Sequence, residues 1–324
     1  MDIYINKFGS ALKKEKEHFL ILSKDKEKQL LSPDLIDTFI ISDNCVISSN
    51  AIKLAIKTNV PIYLSNEYGD VYGKIWNTFN TKANIQLKQL KIFNSQYGNI
   101  IGREWIIKKI DSQKKHLIKI LKRKKENFNE IEKEFNTIIE NIKKINIENQ
   151  KYSNIIMGYE GVASNLYYSN INSLLTSEWK FEKRNNYKAK EPYNIILNYL
   201  FGILYYKVEN ALTIAGLNIY IGIFHSNSLK QKSLLFDFIE PYRVYAWETT
   251  FSLFSKKLIN KNFFDEKTKL LTQEGKKLIL SEFYKKLNSV KTIKGKNIKF
   301  EFMLLNEARK LTKDLEKNEL YNKL

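Results

Sequence analysis

The chain has 324 residues, 54 Lys and Arg against 35 Asp and Glu, and a single cysteine. That length leaves room for two domains with cores of their own, and the lone Cys45 excludes an intrachain disulfide and a cysteine-rich zinc site. No apolar run is long enough to cross a membrane, and the first residues lack a signal peptide's apolar stretch, so a cytoplasmic protein with no membrane role is expected.

The formal charge of +19 is spread along the chain. Nucleotide bias toward Asn and Ile codons inflates Lys, but it would raise Glu as well, and acids still lag. The balance therefore favours a polyanion, with nucleic acid foremost, over a merely solvated basic surface. Only five arginines occur, and Arg243 stands out because it follows an acidic stripe directly.

In chain order, "IYIN", "HFLIL", "TFIIS", "VPIYLS" and "DVYGKIW" are β-branched or aromatic runs bounded by turn residues, with one helix, "SSNAIKLAIKTN", among them. From about residue 80 the period becomes helical. Helices are predicted near 81–95, 100–123, 126–149, 153–175, 192–215, 233–260, 268–287 and 298–319. The fold class is therefore α+β: a small β-rich N-terminal domain, 1–76, followed by a larger all-helical domain, 77–324. Residues 121–150 are charged on most faces and read as a solvated surface hairpin rather than a docking helix. No Gly-rich phosphate loop or zinc-protease motif is present.

Three features sit oddly with packing alone. Glu160 lies between Gly158 and Gly161 in "MGYEGVASNLYY", where small neighbours leave room for a ligand, although in isolation it reads as a first-turn carboxylate near a helix dipole. His225 ends the apolar "IYIGIFH"; a histidine at such a turn is structural or a ligand, while His18 and His116 lie among charges and read as exposed. In "SLLFDFIEPYR", Ser233, Asp237 and Glu240 recur at i, i+4 and i+7, and Pro241 should kink the helix at Glu240.

Two carboxylates that close raise each other's pKa unless a cation lies between them, either Lys or Arg or a divalent metal. On that reading, neutralising Glu240 in the metal-free protein relieves repulsion and slightly raises stability. Glu160, His225 and Glu240, with Asp237 as a supplementary acid, form a set suited to Mg²⁺ or Mn²⁺, and in a basic protein this points to phosphodiester chemistry.

At these residues the sequence resembles the CRISPR-associated integrases of spacer acquisition, the Cas-one (Cas1) family. The resemblance is carried by "GYEGVASNLYY", "EPYNIILNYLFGILYYKVENALTIAGLNIYIGIFH" and "SLLFDFIEPYR", with "DNCVISSNAIKLAIKTNVPIYL" and "GREWIIKKIDSQ" upstream. It implies a homodimer, with the N-terminal domain dimerising, and a bridging partner, Cas-two (Cas2). It also implies double-stranded DNA, both protospacer and CRISPR array, joined by 3′-hydroxyl attack. The family's metal ligands, which are also its catalytic residues, fall on Glu160, His225 and Glu240, Asp237 matches a nearby acidic position, and Tyr205 falls where the family carries a tyrosine near DNA. Where the family often has an arginine element after the histidine, this chain has "SNSLKQK", which leaves Lys230 and Lys232, with Arg243, as candidate DNA contacts. The alternatives are a transposase-like or branched-DNA-repair nuclease homologue, and a non-catalytic DNA-binding scaffold.

Overall fold

A computed structural model describes residues 2–24, 27–65, 71–77, 83–149, 151–187, 189–224, 231–289, 291–293 and 296–317. The chain divides into two compact units, Met1–Thr81 and Lys82–Leu324.

The first unit runs β1 (Asp2–Ile5), β2 (Ala11–Glu15), β3 (His18–Leu22), β4 (Lys28–Leu31), β5 (Thr38–Ser42), β6 (Val46–Ile47), α1 (Ser49–Lys57), β7 (Ile62–Ser65) and β8 (Val71–Ile75). Two four-stranded sheets result, ordered β1-β5-β7-β8 and β4-β3-β2-β6. The first is parallel except for the β7–β8 edge, and the second is antiparallel except for β2–β6. Strand β5, "TFIIS", is buried along nearly its whole length, as an interior parallel strand covered on both faces should be. Phe19 meets Phe39 edge-on at 4.8 Å in the core. Helix α1 starts where Ser48 Oγ accepts from the Ala51 amide at 3.2 Å. Strands β2, β4 and β6 were not foreseen: in "ALKKE" only Leu12 is buried, so the segment lacks a visible alternation.

The second unit comprises α2 (Ala83–Phe93), α3 (Gln96–Lys124), α4 (Asn129–Lys144), α5 (Tyr152–Ser173), α6 (Pro192–Ile214), α7 (Ser233–Phe238), α8 (Val244–Ser255), α9 (Gln273–Asn288) and α10 (Phe300–Lys317). A short hairpin, β9 (Lys291–Ile293) with β10 (Lys296–Ile298), interrupts an otherwise helical domain. Helices α3 and α4 make the charged hairpin; α4 buries Phe135, Ile138, Ile139 and Ile142 and leaves its Glu and Lys residues outward. Because α4 returns the chain, α5 runs parallel to α3. The helix expected over 233–260 is broken at Pro241, where a 3₁₀ turn, Glu240–Tyr242, separates α7 from α8. Helix α10 closes the unit: Phe300 packs on Tyr245 at 4.5 Å, and Thr312 Oγ1 donates to the Ala215 carbonyl at 3.0 Å. Among the described residues, no helix is long and apolar enough to cross a membrane.

Candidate active site

Helices α3 and α5 face each other through two polar stripes of the same spacing. Lys109, Gln113 and His116 meet Glu160, Ser164 and Tyr167, and each rung joins residues 51 apart. The Lys109 ammonium is paired with the Glu160 carboxylate. Gln113 Nε2 donates to Ser164 Oγ at 3.3 Å, Ser164 Oγ donates to Glu160 Oε1 at 2.9 Å, and His116 Nδ1 lies 2.7 Å from Tyr167 Oη. Two sequence expectations are corrected here. His116 is buried, not exposed, because the helical period carries it onto the face shared with Gln113 and Leu117. Glu160 stands in the middle of α5, not in its first turn, because that helix already begins at Tyr152.

At one end of the ladder a third element arrives, bearing a second carboxylate. The kink at Pro241 turns Glu240 inward, leaving it 5 % exposed, with Oε2 at 2.6 Å from Lys109 Nζ and 3.0 Å from Arg243 Nε. Arg243 Nη1 also reaches Tyr205 Oη at 3.4 Å, and its guanidinium lies over Phe201 at 4.6 Å. Tyr205 is half-buried.

Burial opposes ionisation of Glu240, but Arg243 and Lys109 outweigh it and hold the carboxyl below its ordinary value. Burial likewise opposes the Lys109 ammonium, while Glu240 and Glu160 together hold its pKa above the usual lysine value. The expected acid–acid repulsion is thus overturned: Glu240 sits among cations, and its neutralisation removes attraction. Two carboxylates from α5 and the α7–α8 corner converge on one positive centre, a donor arrangement that fits a cation.

Asp237, although one turn from Glu240, does another job. Its Oδ2 accepts from the amides of Ile223 at 2.6 Å and Phe224 at 3.2 Å. Gly222 lets that segment approach: a Cβ there would stand 2.6 Å from Ser233 Cβ and 2.8 Å from Asp237 Oδ2. Gln89 of α2 grips the same segment, donating to the Asn218 and Ile221 carbonyls at 2.8 and 2.7 Å and accepting from the Asn218 amide at 3.0 Å. The backbone running into His225 is therefore pinned on two sides.

His225 and Lys230 themselves lie outside the described residues. Lys232 pairs with the buried Glu209 at 2.7 Å. Among the described residues, no three His, Cys, Asp or Glu side chains gather as a metal cluster; Glu160 and Glu240 are a pair. Beside Glu160 the helix surface is open, since a Cβ at Gly158 or Gly161 would meet nothing within 4 Å.

The family profile described as CRISPR associated protein Cas1 matches residues 3–285. The chain belongs to the Cas1 family. A Cas1 protein of Methanobrevibacter ruminantium is 30 % identical over 288 residues, 86 % of each chain. A CRISPR-associated endonuclease Cas1 of Archaeoglobus fulgidus is 24 % identical over 326 residues, covering 95 % of this chain and 94 % of that one. The Cas1 fold is also shared by a casposase solved bound to an integration product, with a TM-score of 0.84 at 21 % identity over 98 % of this chain and 91 % of that one.

Lys109 is the site residue that the sequence reading left unassigned. The signal was available: Lys109, Gln113 and His116 repeat the i, i+4, i+7 polar spacing of Ser233, Asp237 and Glu240, inside a run whose Ile106, Ile110 and Leu117 are core residues. Adjacent lysines in "IIKKID" obscured it, because Lys108 is exposed and Lys109 is not.

Proposed function

We propose that this protein is a metal-dependent DNA endonuclease and integrase of CRISPR adaptation, inserting new spacers into the array. The observation that carries the reading is the convergence of Glu160 and Glu240 on one cation position, in a chain whose family includes a named endonuclease. Glu160, Glu240 and His225 would hold Mg²⁺ or Mn²⁺, and when bound the ion supplies Lewis-acid polarisation of the target phosphodiester.

The remaining tasks fall to side chains. Arg243, whose pKa is held well above the ordinary value by Glu240 and Tyr205 against burial, stays cationic throughout and offsets charge that develops on the phosphate. Asp237 holds the backbone that delivers His225 and acts as a positioning residue. Tyr205, held beneath Arg243, lines the DNA path, and Lys230 and Lys232 meet phosphates. The 3′-hydroxyl of the incoming strand gives up its proton to solvent and its oxygen forms a bond to the target phosphorus as the target's P–O3′ bond breaks, and the leaving 3′-oxygen takes up a proton. One phosphodiester replaces another, so no energy source is consumed.

The partners follow from the same reading: double-stranded DNA, Cas2, and a second copy of this chain. A charge of +19 supports DNA, and exposed Phe8, Leu35, Val46 and Tyr72 in the first unit support its use as the dimer surface. The test is strand joining with purified protein, Cas2, Mn²⁺, a DNA duplex and a supercoiled array plasmid. Metal-dependent insertion confined to the array is expected. Insertion with no preference for the array would make the chain a transposase-like relative, and binding without joining would make it a scaffold.

A further inference from the structure

We propose that Lys109 is the resident counter-cation of the Glu160–Glu240 pair: its ammonium stands where the divalent ion of the proposed site would bind, and the ion enters by displacing it. The inference rests on the metal-site reading above, but concerns what holds the site together before any metal arrives.

Lys109 pairs with both carboxylates at once; its side chain and that of Glu240 are buried, and Glu160 is half-buried beside them. Glu160 and Glu240 carry two negative charges and Lys109 and Arg243 two positive ones, so the set is neutral as it stands. A neutral buried set has no surplus attraction for a dication. For the ion to take both carboxylates, one cation must leave, and only Lys109 is built to do so. Arg243 is tied through Nε to Glu240, by a hydrogen bond from Nη1 to Tyr205 and by the seat of its guanidinium over Phe201. Lys109 is a point charge on a four-carbon stem with rotatable donors.

With the ion in place of the ammonium, the two carboxylates, the ion and Arg243 sum to one positive charge, and the displaced Lys109 beside them brings the total surplus to two. That surplus matches the doubly negative pentacovalent phosphate of strand transfer, and the displaced ammonium has the DNA phosphate as its nearest new counter-ion. Metal and DNA should therefore bind cooperatively, and by linkage each should tighten the other equally.

The experiment is a Mn²⁺ titration of the full chain without DNA, with free Mn²⁺ read by electron paramagnetic resonance, on wild type, Lys109→Met, Lys109→Gln and Glu240→Gln. Removing the resident cation should tighten Mn²⁺ binding by about 10-fold or more. Adding DNA duplex should tighten wild type by a larger factor than Lys109→Met. Unchanged or weaker Mn²⁺ binding in the Lys109 variants, with binding still abolished in Glu240→Gln, would overturn the role of Lys109 and leave the metal site standing. Wild-type Mn²⁺ affinity in Glu240→Gln would overturn the metal-site reading itself. Should neither Lys109 variant fold, ¹⁵N-lysine spectra of the wild type decide: the Lys109 ammonium signal should move on saturation with Mg²⁺, and a signal that stays in place overturns the exchange.

Discussion

The two ends of the α3–α5 ladder are made of similar material and behave oppositely. At one end Lys109 pairs with Glu160 and Glu240, and Glu240 pairs in turn with Arg243. At the other, His116 and Tyr167 are buried just as deeply, yet burial pushes the imidazole down to about 4 and the phenol well above its ordinary value, so both are neutral. The difference is the supply of opposite charge in direct contact. Glu248 favours the His116 imidazolium, but Lys119 and Lys286 oppose it, and Glu248 is itself paired with Lys286. A buried titratable group is charged where its partners are charged, and neutral where they are not.

The comparison breaks most sharply at Glu240. Glu240→Gln keeps the shape of the side chain but leaves Lys109 and Arg243 in excess of their counter-charge, and losing one partner of a buried pair costs about 3–5 kcal/mol. Denaturant unfolding of the metal-free variant should show that loss. A variant as stable as wild type, or more stable, would mean that the carboxylates repel one another after all.

The neutral end is tested by pH. His116 has a folded pKa of about 4 against an ordinary 6.5, so the unfolded chain binds more protons between those values. Stability must therefore fall as the pH drops through that window, by about 3 kcal/mol at most from this residue. Glu240 has the opposite kind of partner but the same sign of response at lower pH: its folded pKa is depressed, so its contribution is present above the ordinary carboxylate value and lost as pH falls through the folded one. Melting temperatures of wild type and His116→Gln from pH 7 to 4 separate the two. The variant should lose the slope above pH 4.5, and an unchanged slope there would contradict a neutral buried imidazole.

Asp237 gives the smallest effect, because it acts through the backbone. Asp237→Asn keeps an oxygen that can accept from the Ile223 and Phe224 amides, so Mn²⁺ affinity and strand joining should fall by no more than about 10- to 100-fold. Asp237→Ala, which removes the acceptor, should fall further. Equal and complete loss in both variants would make Asp237 a direct participant.

These contrasts explain what could be read from the sequence. The acidic stripe at 233–240 was visible because its polar residues interrupt an apolar run and Pro241 marks the corner. The β strands with apolar alternation, "HFLIL" and "TFIIS", were visible for the same reason, whereas "ALKKE" buries one leucine and offers no pattern. Lys109 and His116 were hidden in lysine-rich surroundings. Only packing against α5 distinguishes buried Lys109 from exposed Lys108, and only the absence of a contacting counter-charge makes His116 neutral. That Asp237 turns to backbone amides, rather than to the acid one turn away, depends on where residues 218–224 run, which no local spacing encodes.

The central claim is that the charged end of the ladder is the reactive centre, and strand joining by Glu240→Gln tests it most directly. The variant is assayed with Cas2, Mn²⁺ and an array plasmid, at a temperature where it is folded and with its binding to DNA duplex measured in parallel. It should bind DNA as wild type does and yield no joined product. Joining at the wild-type level by the folded variant would contradict the claim and reduce Glu240, with Lys109 and Arg243, to a buried ion-pair network that only stabilises the fold.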